Sequence, residues 1–359
     1  MKAGIVGLGE VAQLMHIPIL QDMQDEYTIT AVADVSPSLV GFIAEKYHIK
    51  EAFTDPEKLI TESDTDLIFV LSPDQYHCRH IALALEAGKH VFAEKPAALF
   101  SGELKELIEK KKNYPSQIVM VGYMRRFADN FLKAKEILTE DPRQTEYLRF
   151  RDIICEGPFF INQSRPVFYP HDIPSVIIEE GKKRRTEHLE KALGKESGED
   201  ARTAYQMLTG LGCHSFSAVR ELFGIPQILS ANASPNGEHL VIVMEFNGFL
   251  GVYELINNQD IVQFDAAIEI FQKNRKLTVK YETPYVRNQP MSLELIESSK
   301  TETKTINYGP SWRDPFCNEL KELAQCIKEK REPKTTLDDA LEDLLLFEEI
   351  IKLLIRAEK

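Results

Sequence analysis

The 359-residue sequence contains no Cys-x-x-Cys and no paired Cys/His spacing. Its five cysteines, Cys78, Cys155, Cys213, Cys317 and Cys326, are odd in number and scattered. That argues against a disulfide framework and a structural zinc, and points to reduced thiols in a cytoplasmic protein with no metal. No stretch reaches the ~18 uninterrupted apolar residues of a membrane span. Positive charge is in deficit, with 43 Lys and Arg against 56 Asp and Glu, a formal net charge of −13. This balance disfavours nonspecific binding to nucleic acid or to an anionic membrane, although local basic patches remain compatible with it. No internal repeat or low-complexity tract is present. The first strand begins at about Ala3 and a glycine motif follows at once, so no signal peptide is expected. Length suggests two domains, by a soft prior of about 150 residues per domain.

What is present begins with Gly7-Leu8-Gly9-Glu10-Val11-Ala12. An apolar strand, Ala3 to Val6, leads in and a helix-like stretch leads out, the context of a dinucleotide fingerprint. Gly7 permits the tight turn, Gly9 lets a pyrophosphate approach the backbone, and Ala12 lets helix and strand pack closely. The following helix N-terminus, with Glu10 and Val11, offers N–H groups to the phosphates. A second strand, Thr28 to Ala33, ends in Asp34, roughly 20 residues past the turn, where an acid meets ribose hydroxyls. A carboxylate there repels a 2′-phosphate, and Val35-Ser36-Pro37 supplies no basic residue. NAD is therefore the expected cofactor, with NADP as the alternative.

Strands and helices alternate through about residue 123. Helices are expected over Ser36–Tyr47, from Asp55-Pro56, over Gln75–Ala87 with Gly88 as C-cap, and over Ser101–Lys112 with Ser101 as N-cap. Strands are expected over Glu51–Thr54, Asp66–Ser72, His90–Ala93 and Gln117–Tyr123. This alternation implies an α/β Rossmann domain, a doubly wound parallel sheet, over residues 1–123. Residues 124–359 differ in character. A helix (Phe127–Leu138) and a strand (Glu146–Ile154) come first. Seven strand-like runs follow between Gln227 and Tyr308, many divided by turn residues such as Asn236-Gly237 and Asn247-Gly248. A second, α+β domain with a large, mostly antiparallel open sheet is expected, closed by helices over Asp314–Lys330 and Leu337–Arg356. The polar stretch 179–200 reads as an exposed loop or a solvated helix, and its basic run Lys182–Arg185 as surface.

Ligands of doubly wound sheets bind beyond the carboxyl ends of the strands. Three segments fall there or carry suitable chemistry. Ser72 and Pro73 should border the cofactor, with His77 either touching it or lying on polar surface. Glu94-Lys95-Pro96 follows the strand His90–Ala93. Pro96 fixes the backbone so that Lys95 is aimed, and a fixed ammonium can orient a substrate hydroxyl and lower its pKa. His214, after Gly210-Leu211-Gly212-Cys213 in the helix-like stretch 201–223, is the best-placed general base among nine histidines. On that segment alone, a satisfied core or surface histidine is the better reading.

Three features together resemble the Gfo/Idh/MocA family of oxidoreductases, named for glucose–fructose oxidoreductase, inositol dehydrogenase and a rhizopine catabolism protein. They are Gly7-x-Gly9-x-x-Ala12, Ala87-Gly88-Lys89-His90-Val91-Phe92-Ala93-Glu94-Lys95-Pro96, and Gly212-x-His214 followed by Glu221-Leu222-Phe223-Gly224. Val121 to Phe127 resembles the family's passage between domains, and Pro315 to Ile351 its closing helices. The resemblance implies hydride transfer between NAD(P) and a sugar, cyclitol or related polyol. It implies Lys95 and His214 as the catalytic pair, with Glu94 beside the cofactor and Tyr123, Arg125 and Arg126 along the substrate wall. The substrate would lie between the sheet's carboxyl edge and the second domain. Many members carry Asp four residues before the histidine, where this chain has Gly210, and Asp152 or Asp172 is a candidate replacement. The alternatives are an NAD-dependent glycoside hydrolase and an inactive nucleotide-sensing regulator. The expected partners are a small carbohydrate-like substrate and further copies of the chain in a homodimer or homotetramer, since the second sheet has more strands than helices to cover them.

Overall fold

The computed structural model describes residues 1–155, 157–258 and 260–357. They form two units. The first gathers Met1–Gly122, Arg165–Gly194 and Glu319–Leu344, and the second Tyr123–Ser164, Lys195–Asn318 and Leu345–Lys359.

The first unit is built on six parallel strands, β1 (Lys2–Val6), β2 (Thr28–Ala33), β3 (Glu51–Phe53), β4 (Leu67–Val70), β5 (His90–Glu94) and β6 (Val119–Gly122). Their order, β3-β2-β1-β4-β5-β6, is the doubly wound arrangement with a switch point between β1 and β4. Ile5, Val32, Phe69, Phe92 and Val121 are fully buried, as strands covered on both faces require. Local signals set the helix ends. The Ser36 hydroxyl accepts from the Leu39 N–H to start helix Pro37–Tyr47, and Asp55 caps Pro56–Glu62. Gly88 takes φ +73° just past helix His77–Glu86. Ser101 is the first residue of its helix rather than the cap, a position held by Phe100 without a side-chain bond.

Later chain segments complete this unit. The Val121 N–H donates to the Thr335 carbonyl at 2.8 Å, and the Tyr27 hydroxyl to the Leu320 carbonyl at 2.5 Å. The charge-dense stretch after residue 174 is a helix, Ser175–Leu193, that buries Gly181, His188, Leu189 and Ala192.

The second unit carries an eight-stranded sheet. Its strands are β7 (Thr145–Cys155), β8 (Gln227–Ala233), β9 (His239–Phe246), β10 (Phe249–Asn258), β11 (Phe264–Gln272), β12 (Arg275–Tyr281), β13 (Met291–Ser298) and β14 (Thr303–Ser311), in the order β14-β13-β12-β11-β7-β10-β9-β8. All pairs are antiparallel except β7 with β10. Gly237 (φ +73°) and Gly248 (φ +89°) make the two expected hairpin turns. One face packs Phe150 and Tyr253 against Phe216 of helix Cys213–Phe223, with ring centroids 5.2 and 4.9 Å away. The other face is not uniformly apolar. Its centre is a charge lattice, Arg149–Glu254 at 2.7 Å, Arg151–Asp265 at 2.8 Å and Arg151–Glu269 at 2.9 Å. Apolar exposure is concentrated toward β9 and β10, at Val241 and Leu250. Among the described residues, no helix is long and apolar enough to cross a membrane.

Candidate active site

In the first unit, the carboxyl ends of β1 to β4 open into a cleft of about 740 Å³, within the usual range for small-molecule sites. Gly7, Asp34, Val35, Thr54, Ser72 and Pro73 line it. Gly7 sits at φ +92°, and a Cβ there would come 2.5 Å from the Leu71 carbonyl oxygen, so only glycine fits. A Cβ on Gly9 would meet nothing within 4 Å, which leaves its backbone approachable. Ala12 is buried while Val11 is 37 % exposed at the mouth of the turn. The Asp34 carboxylate accepts from the Leu8 N–H at 2.9 Å and the Ser36 N–H at 3.1 Å, which ties the fingerprint turn to the end of β2. Burial raises the Asp34 pKa above the ordinary value, the nearby Asp172 charge adds to this, and the two N–H donors oppose it. A close backbone approach at Gly9, an acid at the end of β2 and a cleft of this volume fit a dinucleotide.

At the end of β5, the Glu94 carboxylate receives His16 Nε2 at 2.8 Å and the Lys95 N–H at 3.2 Å. Burial opposes its ionisation, but the His16 bond and the Lys95 charge outweigh this and hold the carboxyl below its usual range. Lys95 itself is half-buried. His77 does not lie on polar surface. It is buried, with Nδ1 2.7 Å from the Pro96 carbonyl and Nε2 2.6 Å from the Ser72 carbonyl, so it struts the two loops apart. His80, one turn on, faces the Ser72 hydroxyl at 2.9 Å and lines the cleft. The sequence reading passed over both His16 and His80. The available signal for His16 was its setting. Residues 12–20 are all buried, and Gln13 and His16 are the polar side chains in that run.

In the second unit, His214 lies buried in the first turn of helix Cys213–Phe223, after a π-turn over Leu208–Gly212. Gly210 is exposed, and a Cβ there would meet nothing within 4 Å, so the position has room for a side chain. The candidate wall residues are buried. Tyr123, Arg125 and Arg126 are 2–3 % exposed. Arg125 donates to Asp152 at 2.6 Å and to the Ser215 hydroxyl at 2.7 Å, and its guanidinium lies 5.0 Å from the Tyr281 ring centroid. Arg126 pairs with Glu221 at 2.6 Å. Asp152 is fully buried and also accepts from the Tyr253 hydroxyl at 2.8 Å. Its two oxygens are committed to the core, which removes it as a replacement for the acid missing at Gly210. Asp172 is committed as well. It belongs to the first unit and binds Ser36 and Ser38.

The doubly wound order, the Gly7–Gly9 turn and Asp34 define a dinucleotide-binding Rossmann protein with an appended open-sheet unit. Residues 1–123 match the family model described as an oxidoreductase family with an NAD-binding Rossmann fold, named GFO_IDH_MocA. It is 33 % identical to the myo-inositol 2-dehydrogenase of Thermotoga maritima over 136 residues, 38 % of this chain and 40 % of that protein. It is also 33 % identical to an inositol 2-dehydrogenase/D-chiro-inositol 3-dehydrogenase of Shouchella clausii over 142 residues, 39 % and 40 % of the two chains. The chain thus matches these curated relatives over about two fifths of their length. The fold match extends further. The aldose-aldose oxidoreductase of Caulobacter crescentus superposes with a TM-score of 0.74 over 99 % of this chain and 98 % of that one, at 19 % identity.

Proposed function

We propose that the protein is a cytoplasmic NAD-dependent dehydrogenase or reductase acting on a CH–OH group of a sugar, cyclitol or related polyol. The observation that carries this reading is the Glu94–Lys95 pair at the end of β5, one strand beyond the switch point, in the sheet whose other loops line the cleft. Gly7, Gly9, Glu10, Val11 and Ala12 hold the pyrophosphate, Asp34 the ribose, and Ser72, Pro73 and Glu94 border the rest of the dinucleotide. When bound, the nicotinamide supplies the hydride acceptor or donor. The chain handles the proton and the developing charge. The Lys95 ammonium donates to the substrate oxygen and stabilises its alkoxide character. His214 takes the hydroxyl proton during oxidation and returns it during reduction.

The activities named for the relatives, dehydrogenation of inositols, support a polyhydroxylated substrate. No particular residue favours the hydrolytic or the regulatory alternative. A screen of polyols, cyclitols, sugars and sugar acids with NAD, followed by nicotinamide absorbance, tests the reading. Turnover on at least one such alcohol, without metal, is expected. NAD binding with no reduction across the panel and no reverse reaction on the ketones would overturn it. A homodimer or homotetramer built through the eight-stranded sheet completes the proposal, and a stable monomer in light scattering at micromolar concentration would refute that part.

A further inference from the structure

The segment 165–194 belongs to the first unit but adds no strand to its sheet. It reaches the cleft, where Ile173, Ile177 and Gly181 line the cavity together with Gly7, Asp34 and Pro73.

Each end of this segment is pinned. At the near end, the buried Gln13 amide bridges the fingerprint turn and the segment. Its Nε2 donates to the Leu8 carbonyl at 2.9 Å and the Phe168 carbonyl at 3.1 Å, and its Oε1 accepts from the Phe168 N–H at 2.8 Å. Phe168 stacks on Phe42 at 4.7 Å, and the Tyr169 hydroxyl donates to Glu10 at 2.8 Å. Asp172 then accepts from the Ser36 hydroxyl, and from the Ser38 N–H and hydroxyl at 2.8 Å each. At the far end, Arg184 donates to the Gln75 carbonyl at 2.8 Å and lies over the Tyr76 ring. His188 and Leu189 are buried beyond it. The stretch between the pins is different. Ile173 and Ile177 are half-buried against the cavity, while Val176 and Ile178 are 66 % and 44 % exposed.

The part of the cleft that this segment lines belongs to one end of a dinucleotide. Its lining comes from the ends of β1 to β4 and includes the ribose acid Asp34, whereas Lys95 at the end of β5 is not in it. In this strand order the adenosine half lies over β1 to β3 and the nicotinamide half over the other side of the switch point.

Taking the cofactor reading above as given, we infer that residues 165–194 form a clasp over the adenosine half of the bound NAD. Ile173 and Ile177 are the apolar wall for the base, and the Asp172–Ser36/Ser38 contacts are the latch. A base of this size buries the half-covered isoleucines, and apolar atoms so covered gain affinity roughly in proportion to area. The cofactor then enters and leaves only when the latch releases.

The test uses NADH as probe in stopped-flow fluorescence, displaced by excess NAD, on the whole protein. Ile177→Ala should raise the dissociation rate about tenfold with little change in association rate, since it removes a contact. Asp172→Ala should raise both rates, since it opens a gate, and Ser38→Ala should do so more mildly if Asp172→Ala proves poorly folded. Adenosine monophosphate should lose affinity for Ile177→Ala, and nicotinamide mononucleotide should not. Variants that bind NADH with wild-type rates would overturn the clasp and leave the cofactor reading intact. Wild-type protein that fails to bind NADH would overturn both.

Discussion

His16 Nε2 lies 2.8 Å from Glu94 Oε1, so the helix behind the fingerprint turn holds the acid that precedes Lys95. The His16 side chain is fully buried, its ring edge-on to Phe92 at 5.1 Å. The bond makes a polar strut through an apolar wall. It couples the fingerprint turn to the loop that carries the lysine.

Removing that strut should be felt in stability and its pH dependence. His16→Ala is expected to lose about 1.5–3 kcal/mol in urea denaturation, the scale for a hydrogen bond to a charged group. Glu94 has a folded pKa below its unfolded value. Its contribution is therefore present above the unfolded value near 4.3 and is lost as pH falls through the lower, folded one. In the variant, the Lys95 charge and N–H are left to oppose burial without His16, so this acid-side loss should begin at higher pH. An unchanged stability profile would show that the pair contributes nothing.

Two buried histidines of the first unit should give stability an acid limb of their own. Burial, with help from His77 and Arg79, pushes His80 down to about 3. Burial, then Arg184 and Lys191, pushes His188 down to about 4. The unfolded chain takes up these protons near pH 6.5 while the folded one does not, so stability falls as pH drops from there toward those values. His80→Asn should flatten this limb by a few kcal/mol at most, on the order set by its shift. Melting temperatures measured across pH 3 to 7 check it, and an equal slope in the variant would count against a neutral buried His80.

The Arg125–Asp152 pair should behave as core. Asp152→Asn strands a buried guanidinium, for which a loss of about 3–5 kcal/mol is the usual scale. A residue serving substrate instead would leave the melting temperature near wild type and raise KM. Thermal unfolding and KM on the same preparation separate the two.

Lys95→Met and His214→Ala are each expected to lower turnover by roughly 10²-fold or more while leaving NAD affinity nearly unchanged. The double variant should lose less than the sum of the two free energies, because groups that act together are not additive. Near-normal turnover in His214→Ala would remove that residue from the mechanism.

NAD should bind more tightly than NADP by calorimetry. In the proposed cofactor placement Asp34 is the carboxylate that repels a 2′-phosphate, and Asp172 lies close enough to help raise its pKa. Asp34→Ser should narrow the preference by about tenfold, one charge pair at partly exposed range. Equal affinities in the unaltered protein would mean that Asp34 serves only the turn.

What the sequence revealed was mostly local. Gly7, the β-α alternation and the Asn-Gly hairpins are short-range signals, and each lies where its chemistry demanded. Pairings across long separations were not legible. Arg125 and Asp152 are 27 residues apart, and nothing in either segment marks the other as its partner. Both read as available polar groups until burial was known. For the stretch within Ser175–Leu193, the choice between loop and helix stayed open for a different reason. Its buried positions are Gly181, His188, Leu189 and Ala192, which form no apolar stripe of the usual period. Asp172 was visible as an acid, but its partners Ser36 and Ser38 lie more than 130 residues earlier.

The first unit draws on the chain three times, and the last draw ends at Leu344. On the ribosome, where the chain emerges from its N-terminus at about 5–20 residues per second, this matters. The strands β1 to β6 emerge early, but β6 waits for Thr335 to receive its Val121 N–H, and Tyr27 waits for Leu320. The strands of the nucleotide-binding unit thus emerge before the late segments that complete it. Through that interval its edge strand stays open to whatever else in the cell pairs with exposed β-structure.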